Sequence, residues 1–396
     1  MPTYANRMSE IKPSPTIALA QKAKELKANG KHIISLAVGE PDAATPEYIK
    51  LAAIKAIENN LTKYTPVNGV IELREAITRR YYNQKRLEYS TEQVTVGCGG
   101  KQVIFNALFA SLNPGDEVLI PTPYWVSYPD MVKLAGGTPR FITCEDNGDG
   151  LKPNYQQLEE MINHKTKWLI LNYPNNPTGT ILSKQDLRKI ADILLKHEHV
   201  QILSDDIYEH ITFDNQITTN ILEVEPRLYP RTFIANGVSK AYAMTGWRLG
   251  YGLGNKDLIK KINTLQSQTT YHTSSISQYA AIAALTGTDE FIKQHTALLQ
   301  KKRDLIVNAL HNNTKLCCTP PNGSFYAFFC CEKYLGKIKN DVDFATLLLE
   351  REGVAVVPGS AFGMPLYFRL SFALNEDTLK DACERIQRFC KNLIGH

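Results

Sequence analysis

Two hydrophobic patterns alternate along the middle of the chain. Short apolar runs lie at residues 93–97, 117–121, 138–143, 167–173, 200–205, 231–237 and 248–254, and runs of this length suit strands buried on both faces of a sheet. Between them, apolar residues recur three and four positions apart, the spacing of one helical face. One such segment starts at Thr45-Pro46 and carries Ile49, Ala52, Ala53, Ala56 and Ile57; another starts at Ser183, with Asp186 following, and carries Leu187, Ile190, Ala191 and Leu194. A serine or threonine there marks a helix start, because its side-chain oxygen can meet a free backbone N–H. Strands alternating with helices predict an α/β fold, here with a mostly parallel, seven-stranded sheet between helices.

The last part of the chain changes character. Helical spacing at 289–312, 341–352 and 375–393 is interleaved with the strand-like pieces FYAFF (325–329), VAVVP (354–358) and YFRLSFA (367–373), which reads as a smaller α+β unit. A chain of 396 residues exceeds what one core usually organises, so a large domain over 46–295 and a small one over 296–396 are expected.

Composition narrows the choice of partners. Apolar residues make up 43% and charged residues 21%, an ordinary globular balance. The net charge of +5 comes from 45 basic against 40 acidic residues, without a run of five like charges. Nucleic-acid and membrane-surface partners call for clustered basic patches, so neither is expected, and the basic excess reads as solvated surface plus a site for anions. No apolar stretch of about 18 residues predicts a spanning helix, and the N-terminal residues lack the apolar core of a secretory signal. The eight cysteines show no C-x-x-C ligand spacing, so no metal is expected and a reducing compartment, the cytoplasm, is.

Candidate chemistry is concentrated in a few segments. In GVSKAYAMTGWRLGY (237–251), Ser239 precedes Lys240 and Arg248 follows eight positions later. A lone loop lysine is usually at the surface, but small neighbours let a ligand approach the backbone, and a lysine that forms an imine needs a partly desolvated pocket. NYPNNPTG (172–179) follows one apolar strand and SDDIYEH (204–210) ends another; open parallel sheets place their ligands at such strand ends. VGCGGKQ (96–102) leads through a Gly-rich turn into the helix-like segment Val103–Leu112, where backbone N–H groups form an anion site. Each fragment alone reads equally well as a turn or a cap. Trp125, in PTPYWVSYP, is a core residue or a stacking platform. Arg369 sits inside a strand-like run, costly unless it is ion-paired or meets a ligand.

In this order, from SLAVGEPD at 35–42 to FRLSFA at 368–373, the motifs resemble the class I aminotransferases, fold type I of the pyridoxal-phosphate enzymes. The resemblance implies pyridoxal 5'-phosphate as cofactor, with Lys240 first its imine partner and then the base that moves the substrate proton. It implies Asp205 opposite the ring nitrogen, Asn176 and Tyr208 on the phenolic oxygen, and Trp125 against the ring. Gly99, Gly100 and Lys101 would form the phosphate turn together with Ser239 and Arg248. Arg369 would take the substrate α-carboxylate near Gly39. Tyr64 would reach the phosphate of a neighbouring subunit, which implies a homodimer with shared sites. The same resemblance joins residues 1–45 to the small domain.

Lys101 and the segment KPSPT (12–16) are similar to the bacterial-type branch of aspartate aminotransferases. There the lysine binds the distal carboxylate of a dicarboxylic substrate, and Ser14 and Thr16 would line the same end. The implied reaction moves the amino group of L-aspartate to 2-oxoglutarate by a ping-pong route. Prephenate, aromatic or alanine transamination, a carbon-sulfur lyase on the same imine, and a non-catalytic binder are the alternatives. Two departures stand out: Asp206 where the family more often has glutamate, and Gly237 where a serine hydroxyl is common. The substrate arginine that another branch takes from its partner subunit has no evident counterpart, which puts more weight on Lys101.

Overall fold

The computed structural model describes residues 4–11, 15–28 and 30–394. The strands are β1 (Ile34–Ser35), β2 (Val94–Gly97), β3 (Glu117–Thr122), β4 (Thr138–Asp146), β5 (Leu151–Pro153), β6 (Thr166–Leu171), β7 (Gln201–Asp205), β8 (Thr232–Gly237), β9 (Gly250–Leu253), β10 (Tyr326–Cys330), β11 (Val354–Ala355), β12 (Val357–Pro358) and β13 (Tyr367–Ser371). The large sheet has eight strands in the order β2-β9-β8-β7-β6-β3-β4-β5, one more than the seven apolar runs predict. The extra strand is β5, three residues that pair antiparallel with the outer end of β4 and are too short to show a pattern. From β8 through β7, β6 and β3 to β4 all pairings are parallel, and β9 runs against both of its neighbours.

Burial explains why the central runs are unbroken. Leu169, Ile170, Ile202, Leu203, Phe233 and Ile234 are almost completely buried, since helices cover both faces, and each large apolar side chain so placed contributes roughly 1.5–3 kcal/mol. β4 is the exception: most of its residues are accessible, as suits a strand near the edge. Ser183 caps the helix Lys184–Leu195 through a reciprocal pair with Asp186. Thr45 does not cap its helix. Pro46 holds that position without a side-chain bond, and the Thr45 hydroxyl instead donates to Ala243 O at 2.7 Å and accepts from Trp247 Nε1 at 3.0 Å.

A second core gathers Phe325, Phe329, Phe344, Phe368, Ile386 and Phe389 around a three-stranded sheet in the order β10-β13-β12. The run 354–358 divides between two sheets: β12 joins β13, while β11 pairs in parallel with β1, Ile34 opposite Val354. Leu36 N–H donates to Ala355 O at 2.9 Å and Leu36 O accepts from Ser371 N–H at 2.7 Å, so the segment after β1 is stitched to the C-terminal unit before it enters the cavity described next. Among the described residues, no helix is long and apolar enough to cross a membrane.

Candidate active site

A cavity of about 560 Å³ opens at the C-terminal ends of the parallel strands, where an open α/β sheet leaves backbone and loops free to hold a ligand. Eleven of the residues singled out in the sequence line it: Gly39, Gly100, Lys101, Trp125, Asn176, Asp205, Tyr208, Ser239, Lys240, Arg248 and Arg369. Gly99 stands just behind, as the cap of the helix Gly100–Phe109. Tyr64 is elsewhere, 87% exposed and edge-on to Tyr271 and His272. Ser14 lies outside the described residues; Thr16 falls in the helix Pro15–Ala28, but its side chain is not among those described.

Lys240 follows β8, and its Nζ donates to Gly39 O at 2.7 Å. Burial, reinforced by the charge of Arg369, lowers its pKa to about 8. The lowered value enlarges the neutral fraction near neutral pH, and the neutral amine is the nucleophilic form. Asp205 closes β7 and is buried. Its Oδ2 accepts from the Tyr128 hydroxyl and its Oδ1 from Ile207 N–H at 3.3 Å; burial raises its pKa to about 6, and the Tyr128 bond limits the rise.

Asn172 ties two elements together, its Nδ2 donating to Asp205 O and its Oδ1 accepting from Asn176 N–H, both at 3.0 Å. Asn176 Oδ1 in turn accepts from Arg369 Nη1 at 2.8 Å. Because arginine only donates, the Asn176 side-chain N–H groups are left for the cavity. Arg369 Nη2 donates to Ala37 O at 2.7 Å, and the guanidinium lies 4.3 Å from the Tyr326 ring centroid and 4.9 Å from that of Phe362. This arginine is 4% exposed, yet its Nε has no partner and no carboxylate pairs with it among the described residues. A buried cation in that condition is expensive unless an anion arrives.

At the opposite end, Gly99 takes φ +84° and a Cβ there would overlap the Arg248 guanidinium. Arg248 donates to Thr245 O at 3.1 Å and Cys98 O at 3.3 Å; it too has no carboxylate partner among the described residues. With the first N–H groups of the helix Gly100–Phe109 and the buried Ser239, it makes a second anion seat. Lys101 Nζ lies 5.0 Å from the Trp125 ring centroid, and burial and Arg248 lower its pKa. A Cβ on Gly237 would meet Leu249 O at 2.9 Å and Gly250 Cα at 3.1 Å, so backbone closes the position where the sequence lacks a hydroxyl. Asp206 turns away from the cavity, accepting from Ser204 Oγ at 2.6 Å and Asn220 Nδ2 at 2.8 Å.

Sequence reasoning gave no part to Tyr128, Asn172, Thr245 or Tyr326. Tyr128 and Asn172 stand inside quoted motifs, but a hydrogen bond to Asp205 has no sequence period. Tyr326 reads as one aromatic among several in a core strand.

The model of the family described as aminotransferase class I and II matches residues 31–386. The chain is 49% identical over 397 residues to a probable aspartate/prephenate aminotransferase of Rhizobium leguminosarum bv. phaseoli, covering 98% of this chain and 99% of that protein. The crystal structure of the aspartate aminotransferase from Rhizobium meliloti matches with a TM-score of 0.96 at 45% identity, covering 99% of each chain. That of the Thermus thermophilus aspartate aminotransferase with maleate matches with a TM-score of 0.92 at 37% identity, over 98% of this chain and 100% of that one. Since the family match spans nearly the whole sequence and contains the strand ends that build the cavity, this chain belongs to the class I and II aminotransferases.

Proposed function

We propose that the chain is a pyridoxal 5'-phosphate-dependent enzyme that moves the amino group of L-aspartate to 2-oxoglutarate, giving oxaloacetate and L-glutamate in a ping-pong cycle. The observation that carries the reading is the buried Arg369, an anion seat with an unmet Nε–H in the cavity that also holds Lys240.

The residues fit the cofactor at each of its polar corners. Arg248, Ser239 and the helix start at Gly100 suit the phosphate, and Asp205 suits a protonated ring nitrogen. Tyr208 and the free amide of Asn176 suit the phenolic oxygen, Trp125 the ring face, and Lys240 the aldehyde. When bound, the cofactor supplies an electron sink for the charge left at the substrate Cα. Asp205, ionised, would hold a proton at the ring nitrogen. Lys240 would hold the cofactor aldehyde and, once freed by the amino substrate, would be the base that takes the substrate Cα proton. Arg369 grips the α-carboxylate, and Lys101, over Trp125, meets the distal one; two fixed ends orient the Cα–H toward the lysine.

The name of the Rhizobium leguminosarum relative also includes prephenate, a larger dicarboxylate, and the same two cations suit it as a second substrate. A homodimer is supported by the helix Glu47–Glu58 and the turn after it, where Leu51, Ile54, Ile57 and Leu61 are each at least 39% exposed along one side, an apolar face that needs cover. Tyr64 follows that face, and its exposure supports the reading that it would reach a partner's phosphate. The stitching of β1 to β11 supports grouping residues 1–45 with 296–396 as the small domain, and eight unpaired cysteines support a cytoplasmic location.

The test is spectroscopic. Purified protein reconstituted with the cofactor should lose its visible absorbance on adding aspartate and regain it with 2-oxoglutarate. Lys240→Ala should show neither the initial absorbance nor turnover. A response to phenylalanine, alanine or cystathionine without one to aspartate would overturn the dicarboxylate assignment.

A further inference from the structure

Tyr326 contributes no carboxylate, amine or strand-end loop, yet it touches three of the groups just described. Its hydroxyl is 3.0 Å from that of Tyr208, its ring lies beneath the Arg369 guanidinium at 4.3 Å, and a Cβ added to Gly39 would overlap its hydroxyl. Gly39 is the residue whose carbonyl holds Lys240. The tyrosine is 2% exposed and fixed in β10, opposite Ser371 of β13.

Two hydroxyls in contact share one hydrogen bond and own two protons, so one proton remains to be directed elsewhere. The charges around the pair decide which. Burial raises the pKa of Tyr326, but its ring lies against the cation of Arg369, which limits the rise and favours releasing its proton toward a neighbour. Burial and then the adjoining Tyr326 hydroxyl hold the Tyr208 pKa well above the ordinary value; Arg369 offsets them only in part, and Asp205 adds to the rise, which favours keeping the proton. Tyr326 is therefore the donor within the pair.

We propose that Tyr326 is a positioning residue whose O–H donates to the Tyr208 oxygen, thereby committing the Tyr208 proton to the cavity, where the reading above places the cofactor's phenolic oxygen. The inference rests on that reading. A hydroxyl that accepts a hydrogen bond is a stronger donor, so Tyr326 strengthens the donation from Tyr208. A well-donated phenolic oxygen carries less negative charge and holds less firmly the proton at the Lys240 nitrogen joined to the cofactor.

The experiment is a pH titration of the visible absorbance of the cofactor-loaded protein, in the parent chain, Tyr326→Phe, Tyr208→Phe and the double variant. Tyr326→Phe keeps the ring under Arg369, so the dissociation constant for maleate should stay close to the parent value. The absorbance midpoint should rise by about 0.5–1 pH unit, the worth of one neutral hydrogen bond. Tyr208→Phe should move it further in the same direction, and adding Tyr326→Phe to that variant should change nothing more. An unmoved midpoint in Tyr326→Phe, or the same shift with and without the Tyr208 hydroxyl, would overturn the relay. A parent chain that takes up no cofactor fails before any midpoint is read, and refutes the cofactor reading itself.

Discussion

Replacing Arg369 by glutamine tests the proposed function at its centre. The arginine is buried, with two of its nitrogens already committed to Asn176 Oδ1 and Ala37 O and its Nε unpaired. Glutamine keeps a polar side chain but removes the charge, so a substrate α-carboxylate would enter a desolvated pocket without its counter-ion. Removing one partner of a buried charged pair costs about 3–5 kcal/mol. At ~1.4 kcal/mol per tenfold, kcat/KM for aspartate should fall by roughly 10²- to 10⁴-fold. The control is β-alanine, which is aspartate without its α-carboxylate. Its slow amino-transfer half-reaction, followed by cofactor absorbance, should change far less. The absorbance before substrate addition also reports whether Asn176 has shifted. If aspartate and β-alanine lose equally while cofactor uptake is intact, Arg369 is a structural cation and the carboxylate assignment fails.

Other perturbations probe the remaining parts. Lys101→Ala removes the cation over Trp125 and should lower kcat/KM for aspartate by about tenfold or more with little effect on alanine; equal losses would place the lysine at the phosphate alone. The cofactor-free chain should capture pyridoxal 5'-phosphate faster as pH rises through about 8, because the Lys240 pKa is lowered to that value by burial and by Arg369 and the neutral amine is the reactive form. Stopped-flow absorbance measures this, and a midpoint near the ordinary lysine value of about 10.4 would contradict the burial argument. Ser183→Ala deletes the cap of the helix Lys184–Leu195 and should cost about 1 kcal/mol in denaturant unfolding without altering kcat; no change in stability would mean that Asp186 alone suffices.

What the sequence could reveal followed from local rules. The central strands were legible because double-sided burial demands unbroken apolar runs, and the cap at Ser183 because the reciprocal partner sits three residues on. Thr45 obeyed the same signal and was spent differently, since Ala243 and Trp247 approach from far along the chain and take its hydroxyl. β5 escaped because three edge residues carry no periodicity, and 354–358 read as one strand because nothing local says that its halves join different sheets. In the site, Lys240, Asp205 and Arg369 were legible from motif resemblance. Tyr326 was not, because its importance depends on meeting Tyr208 across two elements, and an aromatic in an apolar strand reads the same wherever its hydroxyl ends.

The stitching of β1 to β11 has a consequence for biosynthesis. Residues 34–40 leave the ribosome long before the backbone at 354–355 that pairs with Ile34 and Ser35, and before Arg369, which binds Ala37 O. Until then that stretch has no native strand to lie against, and one wall of the pocket stays open. Closure must wait for a long-range encounter, an intrinsically slow kind of step, so a nascent polypeptide cannot present a finished pocket until residues 354–371 have emerged to meet it.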